Sequence, residues 1–251
     1  MDPEHHPAMA VSMATDVGRV RKNNEDFVGV GRVVRNGLDY SIWVVADGVG
    51  GGPDGEKASQ LAVEAVIDHV TRTGWTDPAT ALTQAFGIAN ERVYEITGNG
   101  AAATTMVAAL ASDVDGSVIV ANVGDSRAYV VSNGQAHPVT DDHSLVAERV
   151  AAGRISAEEE RSAPDRNILT RGVGSEPDLD VDVFGPMPLP AGQRLVLCTD
   201  GVHGMIDDRA IGRISARMPI AHSAQALVDA AVEAGGGDNA TALVGGYPDP
   251  R

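Results

Sequence analysis

The sequence predicts an α+β fold in which antiparallel β-sheets are covered by helices. Two short polar turns, Asp113-Val114-Asp115-Gly116 and Ser132-Asn133-Gly134, each join a pair of apolar runs and are typical of β-hairpins. Apolar residues recur at helical spacing in two long segments before these hairpins and in one segment after them. Strands and helices do not alternate regularly, so a Rossmann-like parallel sheet is disfavoured. No internal repeat is visible, which favours one domain.

The strands and longer helices can be placed along the chain from these patterns. Strands are predicted at residues 27–30, 39–45, 104–110, 118–123, 127–131, 135–139, 195–198 and 240–245. The first helix carries its apolar positions within residues 58–70. The second begins with Asp77 as N-cap and Pro78 at the first helical position. The third covers residues 223–234 and ends at Gly235 as its C-cap.

Residues 140–180 differ from the rest because they are rich in charge of both signs. They contain two predicted short helices, at residues 144–152 and 157–162, and form an excursion from the core. Excursions of this length without long elements are often functional. We expect residues 1–10 to be a flexible leader and residues 11–248 to form the single domain.

Composition restricts the function and the partners. The chain of 251 residues is 43% hydrophobic and 22% charged, which is enough apolar material for a sizeable core. A net charge of −16 argues against a nucleic-acid partner, since phosphate backbones require a basic surface. The single Cys198, in a strand-like segment, allows no internal disulfide and fits a reducing compartment. No apolar run reaches about 18 residues, so we expect no membrane span and a cytoplasmic protein. We also expect a monomer.

Four aspartates lie beside a glycine or an amide at the ends of strand-like segments. They are Asp47, Asp125, Asp200 and Asp238, and the pair Glu25-Asp26 precedes another strand. Carboxylates converging from several strand ends can bind a hard cation such as Mg²⁺ or Mn²⁺. However, Asp-Gly is also a common turn dipeptide. The spacing alone leaves both interpretations open.

The ordered motifs of the chain resemble those of a known family, the PPM (type 2C) metal-dependent serine/threonine protein phosphatases of bacterial type. The similarity covers about residues 12–245. The motifs that carry it are Arg21-Lys22-Asn23-Asn24-Glu25-Asp26, Ala46-Asp47-Gly48-Val49-Gly50-Gly51, Ala103-Thr104-Thr105, Val123-Gly124-Asp125-Ser126-Arg127-Ala128-Tyr129, Thr140-Asp141-Asp142-His143-Ser144-Leu145, Arg166-Asn167-Ile168-Leu169-Thr170-Arg171, Cys198-Thr199-Asp200-Gly201 and Gly237-Asp238-Asn239-Ala240-Thr241.

This resemblance implies a four-layer αββα sandwich of two antiparallel sheets flanked by helices, with metals at one edge of the paired sheets. It implies two core Mn²⁺ or Mg²⁺ ions and a third, weaker site, and it makes residues 140–180 the family's flap. The metal site would comprise Glu25, Asp26, Asp47, Gly48, Asp125, Asp200 and Asp238.

Individual roles follow from the same resemblance. Asp47 bridges two metals and the Gly48 carbonyl binds one of them, while Asp200 and Asp238 ligate the other. Glu25 and Asp26 orient metal-bound waters, and Asp125 with Asp200 forms the third site. Arg21 holds the substrate phosphate, as its guanidinium fork suits phosphate oxygens. Without the motif, Arg21 would be interpreted as part of a solvated basic patch with Arg19 and Lys22.

The implied reaction is hydrolysis of phosphomonoesters by a water that two cations share. The expected partners are phosphorylated proteins, either serine/threonine kinases or their substrates. A pseudophosphatase that only binds, a phosphatase acting on sigma-factor regulators and a metal-dependent nuclease are the alternatives. Retention of every acidic motif residue disfavours the first, and the negative charge disfavours the nuclease.

Three departures from the family pattern affect the substrate side of the site. Gly52 and Ala163 stand where histidines are usual, and Ala240 replaces a usual isoleucine. The chain therefore lacks a histidine general acid at the family's loop, and His143 is the strongest substitute among its seven histidines. We expect water to protonate the leaving group.

Overall fold

The computed structural model describes residues 8–50, 53–98, 100–156, 159 and 163–248. Within them, two antiparallel sheets pack face to face, and helices cover the outer face of each sheet. The strands are β1 (Ala10–Asp16), β2 (Asp26–Arg35), β3 (Leu38–Val49), β4 (Ala103–Thr104), β5 (Met106–Ser112), β6 (Ser117–Val123), β7 (Arg127–Ser132), β8 (Gln135–Pro138), β9 (Asp182–Pro188), β10 (Arg194–Cys198) and β11 (Ala240–Gly246).

Two long helices and four shorter ones complete the described part of the fold. They are α1 (Pro53–Arg72), α2 (Pro78–Ile96), α3 (Leu145–Ala151), α4 (Asp200–His203), α5 (Asp208–Arg217) and α6 (Ile220–Glu233). Asp77 caps α2 by accepting the Thr80 N–H, and Pro78 occupies its first turn, as predicted. No helix in these ranges combines the length and apolar character that a membrane span requires.

The strand order places the elements that carry the acidic residues side by side. One sheet runs β1-β11-β10-β7-β8, and the other runs β2-β3-β5-β6-β9 with β4 paired to β3. Alternate residues of a strand face opposite sides, so β3 sends Ile42 and Val44 towards α1 and α2. It sends Trp43 and Val45 into the layer between the two sheets. The predicted four-layer αββα architecture is therefore confirmed.

The inter-sheet layer depends on one close approach of a side chain to a backbone. Trp43 lies against Gly245 of β11, where an added Cβ would come within 2.3 Å of the indole ring. Only glycine leaves room for the largest fully buried side chain of the core. In the second outer layer, α5 packs on β8, β7 and β10 and α6 packs on β1 and β11, with Cys198 fully buried in that core.

Several boundaries differ from the sequence prediction. Met9 is 1% exposed and Ala10 begins β1, so the predicted leader ends earlier, and residues 1–7 lie outside the described residues. Helix α6 begins three residues before the predicted start and its C-cap is Ala234, because Gly235 already has a φ of +148°. The predicted helix at residues 157–162 lies almost wholly outside the described residues. Strands β1 and β9 and helices α4 and α5 were not predicted.

Candidate active site

Seven of the eight predicted site residues line a single cleft of about 180 Å³. The strand ends bring them there: Asp47 lies two residues before the end of β3, Asp125 follows β6, and Asp200 follows β10. The cleft is lined by Arg21, Glu25, Asp47, Gly48, Asp125, Asp200 and Asp238, together with Val49, Gly50, Thr105, Asn167 and Leu169. If each aspartate only formed a turn, the acidic side chains would not be expected to converge on one cleft. Their convergence therefore favours a cation site.

Asp26, the eighth residue, lies beneath the cleft and is 5% exposed. One carboxylate oxygen accepts a hydrogen bond from the Thr199 hydroxyl at 2.9 Å, and the other, Oδ1, has no protein partner. Burial raises the pKa of Asp26 to about 7, and the charges of Asp200 and Asp238 add to this effect. A buried carboxylate oxygen without a donor fits a position that a cation or its water would occupy.

The Ala103-Thr104-Thr105 motif fixes the backbone of Asp47. The Thr105 hydroxyl accepts the Asp47 N–H at 3.1 Å, and the Asp47 carbonyl accepts both the Thr105 N–H at 2.9 Å and the Thr104 hydroxyl at 2.8 Å. Burial raises the pKa of Asp47 well above its usual value, and Asp26, Asp200 and Asp125 repel its charge further. Asp47 is therefore rigidly placed but poorly compensated in the metal-free protein.

The pKa values of Asp200 and Asp125 are raised for the same reasons as that of Asp47. Asp200 begins α4, its Oδ1 has no hydrogen-bond donor, and burial followed by repulsion from Asp238 raises its pKa. Burial and the charge of Asp200 raise the pKa of Asp125 to about 8. Four carboxylates that resist ionisation together need compensating positive charge.

The donor set suits hard divalent cations. Every acidic group in the cleft offers carboxylate oxygens, which Mg²⁺ and Mn²⁺ prefer. Within the described ranges, no three such side chains stand as close together as in a finished coordination shell.

Gly48 allows the end of β3 to approach the start of α1. A Cβ at Gly48 would lie 2.1 Å from the Gly55 carbonyl oxygen, and the Gly48 N–H donates to the Glu25 carbonyl at 3.0 Å. A Cβ at Gly55 would lie 2.4 Å from the Glu25 carboxylate, which therefore packs against the first turn of α1. The Gly48 carbonyl and the Glu25 carboxylate are both placed by these contacts.

Arg21 projects into the cleft and pairs with Asp238 at 2.8 Å. Its side chain is 49% exposed, so the guanidinium remains accessible to a ligand. Partial burial lowers the pKa of Arg21, but Asp238, Glu25 and Asp47 more than offset this and raise the pKa. Arg21 is therefore a fixed cation at the edge of an acidic site.

Asn239 anchors the loop that carries Arg21 and Glu25, and sequence reasoning gave it no role. Its side-chain oxygen accepts the Glu25 N–H at 2.8 Å, and its amide nitrogen donates to the carbonyls of Val17 and Asn23, each at 2.9 Å. The signal was present in the Gly237-Asp238-Asn239 motif. Its partners are more than 200 residues away in the chain, so no local pattern reveals them.

His143 does not face the cleft. It is 4% exposed, its Nδ1 accepts the Gly124 N–H at 3.0 Å, and its Nε2 lies 3.1 Å from an Asp182 carboxylate oxygen. Both ring nitrogens have partners, so the structure places His143 as a structural link and leaves neither nitrogen directed at the cleft. The His203 Nε2 lies 3.0 Å from the Asp125 carbonyl oxygen. Gly52 lies outside the described residues.

The flap, residues 140–180, contributes one wall of the cleft through Asn167 and Leu169. A second cavity of about 290 Å³ lies between the flap and the region of α4, and it shares Asp125, Asn167 and Asp200 with the cleft. A polypeptide bound across the cleft would therefore contact the flap.

Comparison with known proteins supports the same interpretation. Residues 19–233 match the family described as protein phosphatase 2C. The serine/threonine phosphatase stp of Listeria monocytogenes is 33% identical over 253 residues, covering 94% of this chain and 95% of that protein. The structure of the Mycobacterium tuberculosis serine/threonine phosphatase PstP/Ppp is 29% identical with a TM-score of 0.84, covering 96% of this chain and 100% of that one.

A further solved structure, the catalytic domain of the phosphatase PstP in complex with two manganese ions, is 28% identical with a TM-score of 0.81. It covers 96% of this chain and 99% of that one. The motifs, the four-layer fold and these similarities agree, and the chain belongs to the protein phosphatase 2C family.

Proposed function

We propose that this chain is a metal-dependent serine/threonine protein phosphatase that hydrolyses phosphomonoesters by direct attack of water. The observation that carries this proposal is the group of four mutually repelling carboxylates, two buried and two half-buried, beside one accessible guanidinium. The carboxylates are those of Asp26, Asp47, Asp125 and Asp200, and the guanidinium is that of Arg21. Acids arranged in this way bind cations, and the guanidinium suits a phosphate.

Each acidic residue has a proposed role at this site. Asp47 and the Gly48 carbonyl would hold one cation, and Asp47, Asp200 and Asp238 would hold another. Glu25 and Asp26 would orient water, which fits the unpartnered Asp26 Oδ1. Bound divalent cations lower the pKa of the attacking water and stabilise negative charge on the phosphoryl oxygens.

Arg21 is proposed to bind the substrate phosphate. Its present partner, Asp238, is a proposed cation ligand, so a cation and the guanidinium compete for the same carboxylate. Occupation of the cation site would release guanidinium donors to the phosphate. Substrate binding and cation binding would therefore favour one another at this edge of the cleft.

The proposal also covers which ions and which substrates the site binds. We propose either Mn²⁺ or Mg²⁺ at the two core positions and a third ion at Asp125 and Asp200, where repulsion between the two carboxylates is strong. The substrates are proposed to be phosphorylated proteins, either kinases or kinase substrates, acted on by a monomer in the cytoplasm. Buried, unpaired Cys198 supports a reducing compartment, which cell fractionation would test.

The experiment that tests the proposed function is release of inorganic phosphate from a phosphothreonine peptide in EDTA, Mn²⁺ or Mg²⁺. We expect turnover with either cation and none in EDTA. Cys198→Ala is the matched control, because Cys198 is fully buried and burial raises the pKa of its thiol to about 12, so it should retain activity. Turnover in EDTA, or loss of turnover in Cys198→Ala with the fold intact, would contradict the proposal, and cation binding without turnover would indicate a pseudophosphatase.

A further inference from the structure

The turn that carries Asp125 is held from two sides. Gly124 has a φ of +101°, and a Cβ there would lie 2.6 Å from the Thr105 side chain, so the turn packs directly against Thr105. On the other side, the Gly124 N–H donates to His143 Nδ1 at 3.0 Å and the Gly124 carbonyl accepts the His143 N–H at 3.0 Å. This reciprocal pair fixes the orientation of the peptide units next to Asp125.

The same histidine, near the start of the flap, also pairs with a later part of the flap. Its carbonyl accepts the Thr170 N–H at 2.9 Å, and the following residues, Ser144 and Leu145, continue the pairing: Ser144 lies opposite Leu169, and the Leu145 N–H donates to the Ile168 carbonyl at 2.9 Å. Leu169 lines the cleft. One residue therefore connects the Asp125 turn with the flap wall of the cleft.

Asp182 anchors the other end of the imidazole. As Nδ1 accepts from Gly124, a neutral ring carries its proton on Nε2 and donates it to Asp182 at 3.1 Å. Arg171, which follows Thr170 in the flap, donates to the same carboxylate at 2.7 Å. Asp182 lies opposite Asn122 in the pairing of β9 with β6, and this register places its carboxylate beside the histidine.

We propose that His143 is a positioning residue that, through Asp182 and Arg171, holds the Asp125 turn in register with the flap wall formed by Asn167 and Leu169. Hydrogen bonds at 2.7–3.1 Å, buried at the turn and part-buried at Asp182 and Arg171, connect the three side chains and the turn. Loosening this link would allow the Asp125 carboxylate and the flap wall to move independently. The effect on cations rests on the proposed function, while the mechanical link does not.

Asp182→Ala is the sharpest test, because Asp182 is partly exposed whereas His143 is almost wholly buried and its replacement could unfold the protein. We expect amide hydrogen exchange at Gly124 and Thr170 to become about tenfold faster in metal-free Asp182→Ala. The Mn²⁺ concentration for half-maximal activity should rise about fivefold or more, with the turnover number at saturating Mn²⁺ nearly unchanged. Asp182→Asn keeps an acceptor for Nε2 and should restore most of both properties.

Asp178→Ala is the matched control, since it removes an exposed carboxylate four residues earlier and should change neither measurement. Wild-type exchange at both amides in Asp182→Ala, or an equal effect of the control, would overturn the proposal. An inactive wild-type enzyme would instead defeat the proposed function, and the exchange measurement would still decide whether the link exists.

Discussion

Asp26 and Asp47 stand directly opposite each other in the antiparallel pairing of β2 with β3. Like charges at such positions destabilise a sheet, and here Asp26 is also buried and Asp47 half-buried. The pair is unfavourable for the metal-free fold and favourable for a site that gathers cations. The Asp26–Asp47 pair therefore lowers the stability of the metal-free fold and places two carboxylates where a cation can bind them.

The metal-free protein should therefore lose stability as the pH rises. The folded-state pKa is raised to about 7 for Asp26 and about 8 for Asp125, so the folded chain holds protons that the unfolded chain releases near pH ~4. The stability that these bound protons contribute is fully present below the unfolded-state pKa of ~4 and is lost as the pH rises through the folded-state pKa values. We expect the Tm in EDTA to be about 5 °C or more lower at pH 8 than at pH 6.

Differential scanning calorimetry would check this, with saturating Mn²⁺ as the comparison. The cation should remove most of the difference, and Asp26→Asn should reduce it in EDTA. A metal-free Tm that is constant or increases between the two pH values would show that the carboxylates are already compensated.

Asn239 is expected to control activity without touching the substrate. Asn239→Ala removes one acceptor and two donors that hold the loop of Arg21 and Glu25, and each lost buried partner costs about 1–3 kcal/mol. Turnover should fall about tenfold or more and the Tm should decrease. Asn23→Ala is the control, because Asn239 contacts only the backbone of Asn23; a similar loss in both variants would refute the anchoring role.

Arg21 and Arg19 should behave differently although both are exposed. Arg21 lines the cleft, whereas the backbone of Arg19 binds the Gly236 carbonyl at 2.7 Å. Arg21→Ala should weaken both turnover and inhibition by inorganic phosphate, and Arg19→Ala should change neither. Steady-state kinetics with added phosphate would measure this. Equal effects would indicate a general electrostatic field in place of direct contact.

The dependence of turnover on the leaving group should show whether a histidine acts as general acid. His143 has both nitrogens engaged, so water is expected to protonate the departing serine or threonine oxygen. General acids contribute about 10²–10⁴ in rate, and an alkoxide needs one more than a nitrophenolate does. Activity should favour nitrophenyl phosphate over phosphopeptides. If His143→Ala selectively removed phosphopeptide turnover while sparing nitrophenyl phosphate, His143 would be the acid after all.

The sequence was informative where function is encoded in short motifs and uninformative where it depends on distant pairing. Aspartates at strand ends predicted the cleft, because each motif places its acid immediately beside an apolar run. The opposition of Asp26 and Asp47 depends on the register of β2 and β3, which no short motif specifies. The link of His143 to Asp182 spans 39 residues and was invisible for the same reason.

The missed elements have local physical reasons. Strand β9 is an edge strand that contains Gly185, Pro186 and Pro188, residues that ordinarily argue against a strand. Helix α5 buries only Ile211, Gly212 and Ser215, so few apolar residues mark its buried face. Neither element is predicted from the sequence, because tertiary packing, more than local preference, determines their structure.

The most direct test of the central claim is Mn²⁺-dependent turnover of a phosphothreonine peptide by Asp200→Asn. The substitution keeps the shape of the side chain and removes one of the proposed anionic ligands at the start of α4. If the cleft acids hold the cations that drive hydrolysis, turnover at saturating Mn²⁺ should fall by about 10²–10³ while the fold persists. Activity near that of the wild type would contradict the account.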